Sequence, residues 1–279
     1  MGRIERSWKL VKASVGVLDA NRSLLLFPLL SSLCALVVSA TFLLPLLASG
    51  VLERGMQGGG AWYAPMAFAF YLVQYFIIFF FNAALVGAAR IHLDGGHPSF
   101  SDGLRIAGAH WPQILGYAAL AATVGMLLRA IEQRAGFIGS WIVGLLGVAW
   151  TVAAFLVVPV LVNEQTGPVD AVRRSADLLK RTWGENLAGN VGMGFVFGAL
   201  TVLWTGAWVG GAVFAFAHGA FILGGVLAIL ALLGGLLLTL VQTALQGVYA
   251  AVLYRYAATG ETGNGFDQAL VAQAFRVKA

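Results

Sequence analysis

Long apolar blocks separated by short polar segments dominate this chain. A helix needs roughly 20 apolar residues to cross a bilayer. We therefore expect six spans, at about residues 24–48, 62–89, 113–129, 138–162, 190–217 and 221–254. The third block is short, so its length is compatible with either a full or a partial crossing of the bilayer. The last block is long enough for its helix to tilt or to bend near Gly234 and Gly235. The pattern predicts an all-α integral membrane protein with one membrane domain over residues 1–279.

The basic residues indicate how the spans are oriented. The chain has 17 lysine and arginine residues. With the amino terminus inside, only Arg54, Arg129 and Arg134 fall in outside loops, and the remaining fourteen lie on the cytoplasmic side. Cytoplasmic loops of membrane proteins carry such an excess of positive charge. Both termini are therefore predicted to be cytoplasmic.

Three amphipathic segments precede the first, third and fifth spans. Residues 6–12 (RSWKLVK) and 174–180 (RSADLLK) share the pattern R-S-x-x-L-x-K. In all three segments apolar residues step by three and four positions, as one face of a helix requires; the stripes begin at Ile4, Phe100 and Val172. We predict three repeats of an amphipathic cytoplasmic helix plus a membrane hairpin, over about residues 1–89, 98–162 and 168–254, followed by a tail, 255–279. Coincidence among basic juxtamembrane helices is the alternative.

These helices are expected to lie in the membrane interface. Their apolar stripes would sink into the acyl boundary, and their basic residues would meet anionic inner-leaflet headgroups. The serine of the shared pattern, Ser7 or Ser175, would lie on the polar side with its hydroxyl free for a backbone or phosphate contact. The candidate headgroup contacts are Arg3, Arg6, Lys9, Lys12, Arg173, Arg174, Lys180 and Arg181.

Composition and charge narrow the class of protein. Hydrophobic residues make up 59% of the chain and charged residues only 10%, whereas soluble domains carry about 25% charged residues. The net charge of +5 could suggest nucleic acid. The basic residues lie between apolar blocks, however, so we expect membrane lipids as partners and no nucleic acid.

Two stretches resemble known bacterial membrane proteins. Residues 2–31, GRIERSWKLVKASVGVLDANRSLLLFPLLS, resemble the opening of an uncharacterised family of polytopic membrane proteins. Residues 159–187, PVLVNEQTGPVDAVRRSADLLKRTWGENL, resemble a repeated segment in the membrane domain fused to some glycerophosphodiester phosphodiesterases. In those fused enzymes the chemistry belongs to a separate soluble domain. The resemblances therefore imply a membrane scaffold in the bacterial cytoplasmic (inner) membrane, and not an activity.

Candidate chemistry is sparse. The span interiors contain no Asp, Glu, Lys or Arg, which argues against a proton-coupled pump because such groups are retained in membranes for function. No phosphate-binding loop, zinc motif or nucleophile motif occurs. His92, His97 and His110, with Asp94, are interpreted as a solvated loop and not as a metal site. We predict no enzyme activity and no cofactor.

Amide and hydroxyl side chains supply the polar groups of the spans, and four amides form two pairs. Gln74 and Asn82 are eight residues apart in the second span, and Gln242 and Gln246 are four apart in the sixth, so each pair shares a helix face. They could line a polar cleft between these spans, or they could hydrogen-bond neighbouring helices.

A ridge of glycines marks the fifth span. Gly194, Gly198, Gly206 and Gly210 lie at i+4 spacing, which allows another helix to approach closely. That helix could be another span of this chain, a second copy or a different membrane protein. The preferred function is a scaffold or accessory subunit of an inner-membrane assembly. The alternative is a small-molecule or lipid transporter that uses the polar cleft.

Overall fold

The structure of the protein is a computed structural model. It describes residues 14–48, 63–181, 186–264 and 266. Within that part the regular elements are helices, and no strand occurs. Residues 14–20 are helical and lead into a 3-10 turn, Arg22–Leu25. The nine helices that follow are α1 (Leu26–Ala48), α2 (Tyr63–Leu93), α3 (Phe100–Ala109), α4 (Trp111–Arg134), α5 (Phe137–Ala154), α6 (Val157–Asn163), α7 (Pro168–Arg181), α8 (Asn186–Ala217) and α9 (Phe221–Thr259).

Six segments of the described chain are long and apolar enough to cross a membrane, as predicted. They are Arg22–Ala48, Ala64–Leu93, Trp111–Arg134, Gly139–Asn163, Phe197–Ala217 and Phe221–Thr259. The third contains 24 residues, or about 36 Å of helix at 1.5 Å per residue, against a hydrocarbon core of about 30 Å. The third span is therefore long enough to cross fully. The protein is a multi-pass membrane protein.

The core lies at one end of the bundle, around the carboxyl-terminal turns of α2. Residues 83–89 of α2 are all buried, so these two turns are covered on every side. They pack against the short helices α3 and α6 and against the end of α9. Towards the opposite end large apolar side chains are exposed, for example Leu203 (70%) and Ile222 (87%). Such a surface is suited to lipid.

The short helix α3 begins at a capping box. Ser99 Oγ accepts a hydrogen bond from the Asp102 N–H (3.1 Å), and Asp102 Oδ2 accepts one from the Ser99 N–H (3.1 Å). The Ser99 hydroxyl also donates to Asp102 Oδ2 (2.6 Å), and this bond, together with the one from the Ser99 N–H and a weaker attraction from Arg105, holds the pKa of the Asp102 carboxyl below its usual value. The cap fixes the start of α3, and Gly103 in its first turn then lies directly against the Ala84 carbonyl of α2 and the Phe27 ring.

The fourth span is interrupted after Ala154, so the single predicted span is the two helices α5 and α6. Pro159 causes the interruption, because proline has no N–H and its ring clashes with the carbonyl four residues earlier, that of Phe155. The N–H of Leu156, at the break, donates to Ser175 Oγ at 3.0 Å. Leu156 and Ser175 are both fully buried. The prediction that Ser175 lies on the polar side of its helix is therefore wrong.

The buried face of α7 is wider than the predicted stripe, which comprises Val172, Ala176, Leu179 and Trp183. Ala171, Ser175 and Leu178 are buried, and α7 packs against α5 and α6 of the same chain. The expectation that this stripe sinks into the acyl boundary is wrong for Leu179, which is buried in the protein core, and Val172 packs against that core. Of the predicted stripe, Leu179 is buried and Trp183 lies outside the described residues.

The threefold repeat stays a prediction. Short helical segments do precede α1, α4 and α8, at residues 14–20, α3 and α7. Most of the first stripe falls in residues 1–13, outside the described part. The boundary of the tail moves, because α9 continues as a helix to Thr259 and ends at Gly260, which adopts a left-handed conformation (φ 78°).

Substituting Gly103 with alanine should destabilise the protein. The new Cβ would lie 2.7 Å from the Ala84 carbonyl oxygen, and a backbone atom cannot move aside cheaply, so we expect a loss of about 1–3 kcal/mol. Gly108 is the matched control in the same helix, because a Cβ there meets nothing within 4 Å, and Gly108→Ala should be neutral or stabilising by up to about 1 kcal/mol. Unfolding in detergent, followed by tryptophan fluorescence, measures both. Equal stability of the two variants would contradict the close packing of α3 on α2.

Replacing Ser175 with alanine should leave the buried Leu156 N–H without an acceptor. The expected cost is about 1–3 kcal/mol in the free energy of unfolding. Thr151→Ala is the control, because Thr151 is exposed and its hydroxyl donates only to Gly147 O in its own helix. A Ser175→Ala variant as stable as the control would show that the helix break does not depend on this hydroxyl.

Candidate functional site

A group of charged residues connects the core-side ends of four helices. We call it the inner-end cluster: Arg90, Asp94, Glu164, Arg174, Tyr254, Arg255 and Glu261. Its first half centres on Glu164, which directly follows α6. Glu164 accepts hydrogen bonds from Arg174 Nε of α7 (3.1 and 3.2 Å to its two oxygens) and from the Tyr254 hydroxyl of α9 (3.0 Å). One carboxylate thus ties α6, α7 and α9 together.

The second half of the cluster centres on Arg255, near the end of α9. Arg255 Nη1 donates to Asp94, which follows α2, and Arg255 Nη2 lies 3.5 Å from Glu261 Oε2. Arg90 Nε also lies 3.8 Å from Asp94. Gly260 ends α9 in a left-handed turn, and that turn allows Glu261 to return towards Arg255. These contacts hold the end of α9 against the end of α2.

A cavity of about 320 Å³ opens between these helix ends. Its polar lining comes from Arg90, Asp94, Asn163, Tyr254, Arg255, Thr259 and Glu261. Val86, Leu93 and Ala251 contribute to its apolar lining. The polar wall therefore carries two guanidinium groups and two carboxylates, which balance in charge.

The cluster supplies groups that can bind a charged ligand. Among the described residues no group of three or more His, Cys, Asp or Glu is placed to hold a metal ion. His92 instead lies 2.9 Å, through Nδ1, from Asn21 Nδ2, which connects the amino-terminal segment to α2. Arginines paired with carboxylates can hold a charged ligand by hydrogen bonds and ion pairs.

Comparison with known proteins identifies the family. A family model described as a family of unknown function, DUF6159, matches residues 61–266. The chain belongs to the DUF6159 family. No curated protein and no solved structure matches it significantly. None of these comparisons supports the resemblance of residues 159–187 to the membrane domain of glycerophosphodiester phosphodiesterases, and residues 2–31 lie outside the matched region.

The glycine ridge of this DUF6159 protein is open along its described part. A Cβ placed on Gly198, Gly206 or Gly210 would meet no atom of the chain within 4 Å. The surroundings of Gly194 lie outside the described part. Close contacts between α8 and α9 are made elsewhere, and Trp204 makes one of them. Its indole fills the space above Gly234, and its Nε1–H donates to Leu230 O (3.3 Å).

The four amides are not joined into one site by the contacts recorded for the described residues. Gln74 Nε2 donates to Ala35 O (2.9 Å) and Ser39 Oγ (2.7 Å), both in α1. Asn82 lies beside Gly247 of α9. Gln242 and Gln246 are half-buried on α9. The contacts of Gln74 agree with the alternative in which the amides hydrogen-bond neighbouring helices. The polar cleft between the second and sixth spans stays a prediction.

The predicted headgroup contacts have diverse surroundings. Arg173 and Lys180 are exposed and pair within α7, with Asp170 (3.5 Å) and Asp177 (3.7 Å). Arg174 belongs to the inner-end cluster. Arg3, Arg6, Lys9 and Lys12 fall outside the described residues, as does the side chain of Arg181.

Sequence reasoning did not assign a site to Asp94, Glu164, Arg255 or Glu261. One signal was present: each follows a span directly or closely, and the acidic and basic residues at these ends could pair. The pairing itself depends on contacts between residues as distant in sequence as Asp94 and Arg255, which a single sequence does not reveal.

Substituting Gln74 with leucine should weaken the packing of α2 on α1. Interhelical hydrogen bonds in membranes contribute about 0.6 kcal/mol each, so losing two should cost about 1 kcal/mol. Gln242→Leu is the comparison, and it should change the stability by less than about 0.5 kcal/mol. Chemical unfolding in mixed micelles measures both. If Gln74→Leu were neutral, the amide would be free for another role and the polar cleft would gain support.

Proposed function

We propose that this protein is a non-enzymatic membrane component, a scaffold or accessory subunit of an assembly in the bacterial inner membrane. The observation that carries the proposal is the open ridge of Gly198, Gly206 and Gly210 on a helix that packs mainly against α9. Small residues on a membrane helix allow a second helix to come close enough for extensive van der Waals contact.

The contact between α8 and α9 directs the ridge outward. Trp204 packs over Gly234 and donates to α9. Gly206 is two positions further along the same helix, about 200° around its axis at 3.6 residues per turn. The ridge therefore points away from α9 when Trp204 points towards it. This arrangement supports a partner outside the chain, and we propose a membrane helix as that partner.

The distribution of basic residues supports an inner-leaflet position for the cluster. Arg90, Arg174 and Arg255 lie at the core-side end of the bundle, whereas Arg134 ends α4 at the other side. The excess of positive charge in the cytoplasmic segments is the basis for this orientation. We propose that the core-side end and both termini face the cytoplasm.

Gly206→Leu should disrupt the association with the proposed partner, because a large side chain on the ridge blocks close helix approach. The matched control is Gly225→Leu in the same hairpin, where a Cβ also meets nothing within 4 Å. Native mass spectrometry of the protein extracted with its surrounding lipid measures the association. We expect a second polypeptide or a second copy at fixed stoichiometry with the wild type and with Gly225→Leu, and its loss with Gly206→Leu.

Two results would count against the scaffold. If native mass spectrometry detects the wild-type protein only as a single chain without a second polypeptide, the proposed partner is contradicted. A Gly206→Leu variant that associates as well as the control would place any interface elsewhere.

A further inference from the structure

We propose that the cavity of the inner-end cluster binds the headgroup of a zwitterionic phospholipid that carries a primary ammonium. Arg90 and Arg255 hold the phosphate, and Asp94 and Glu261 hold the ammonium. This site is independent of the glycine ridge and of the scaffold function, because it is built from other helices at the core-side end.

The size and position of the cavity fit a headgroup. Its volume of about 320 Å³ is at the lower end of the range for small-molecule pockets, roughly 300–1,000 Å³. It lies where the ends of α2 and α9 leave the apolar part of the bundle. Leu93 and Ala251 line it beside the charged groups, so a ligand there meets both an apolar and a polar surface, as a lipid does at the membrane interface.

The two arginines have donors available. A guanidinium carries five N–H donors. Arg255 uses Nη1 for Asp94 and makes a long 3.5 Å contact to Glu261 through Nη2. Arg90 lies 3.8 Å from Asp94, beyond hydrogen-bond length. A phosphate oxygen in the cavity supplies an acceptor for Arg90 and for the Nη donors of Arg255, and such charge-assisted bonds are strong.

The charge of the lining selects among headgroups. An anionic headgroup without an ammonium would place negative charge beside Asp94 and Glu261, which is unfavourable. A zwitterion satisfies both signs. A primary ammonium donates three hydrogen bonds to carboxylates, whereas a trimethylated ammonium donates none. The site should therefore prefer phosphatidylethanolamine to phosphatidylglycerol and to phosphatidylcholine.

The test uses the full chain, purified in detergent and depleted of lipid, with the three phospholipids at matched acyl chains. Binding is followed as the rise in melting temperature with lipid concentration. We expect phosphatidylethanolamine to bind most tightly. Arg90→Gln should weaken its binding about tenfold or more, as the loss of one charge-assisted hydrogen bond entails. Arg105→Gln is the matched control, because Arg105 is an exposed arginine of α3 paired with Asp102 outside the cavity.

A second variant tests selectivity, which a purely structural role would not change. Glu261→Gln should reduce the preference for phosphatidylethanolamine over phosphatidylglycerol. Soluble phosphoethanolamine tests whether the ligand is a membrane lipid or a soluble molecule with the same headgroup. A rise in melting temperature with the lipid alone assigns a membrane ligand. An equal rise with the soluble compound assigns a cytoplasmic one. Binding of phosphatidylglycerol as tight as that of phosphatidylethanolamine, or an Arg90→Gln variant indistinguishable from Arg105→Gln, would overturn the proposal.

Discussion

The close approach of helices around the last turns of α2 is the constraint on which the rest of the structure depends. Residues 83–89 include four alanines and a glycine, and small residues let neighbouring backbones come near. The neighbouring helices also have glycines at the points of contact: Gly103 of α3 lies against Ala84, and Gly247 of α9 lies against Leu85. This packing brings Asp94 and Arg255 within reach of each other, so the inner-end cluster depends on it.

The spans could be predicted from the sequence because crossing a bilayer imposes a length and a hydropathy that a single chain displays. The buried faces could not. In a membrane protein the lipid-facing side is also apolar, so large hydrophobic residues do not mark the interior. In α7 the buried face includes Ala171 and Ser175 as well as Leu179 of the predicted stripe, and small or polar residues such as these two do not stand out in a hydropathy pattern. The fourth span is predicted from the sequence as continuous, and nothing near Pro159 indicates that Ser175 completes a break there.

The polar and the apolar features of the protein lie at different levels along the spans. Ion pairs and the cavity lie at the core-side end, whereas the ridge and the exposed apolar side chains lie along the membrane-crossing part. The region that matches the DUF6159 family, residues 61–266, contains every residue of the inner-end cluster and all four glycines of the ridge. The residues of both proposals, ligand binding at the cluster and helix packing at the ridge, therefore lie in the region that defines the family.

The bond between Leu156 and Ser175 has a consequence for the order of assembly. A nascent chain emerges from its amino terminus, so the interrupted fourth span is made before the serine that completes it. Until α7 forms, the Leu156 N–H needs water, because an unpaired N–H is costly in hydrocarbon. The break must therefore stay near the aqueous boundary while nineteen further residues are added. Membrane insertion of this span is thus coupled to translation of the segment after it.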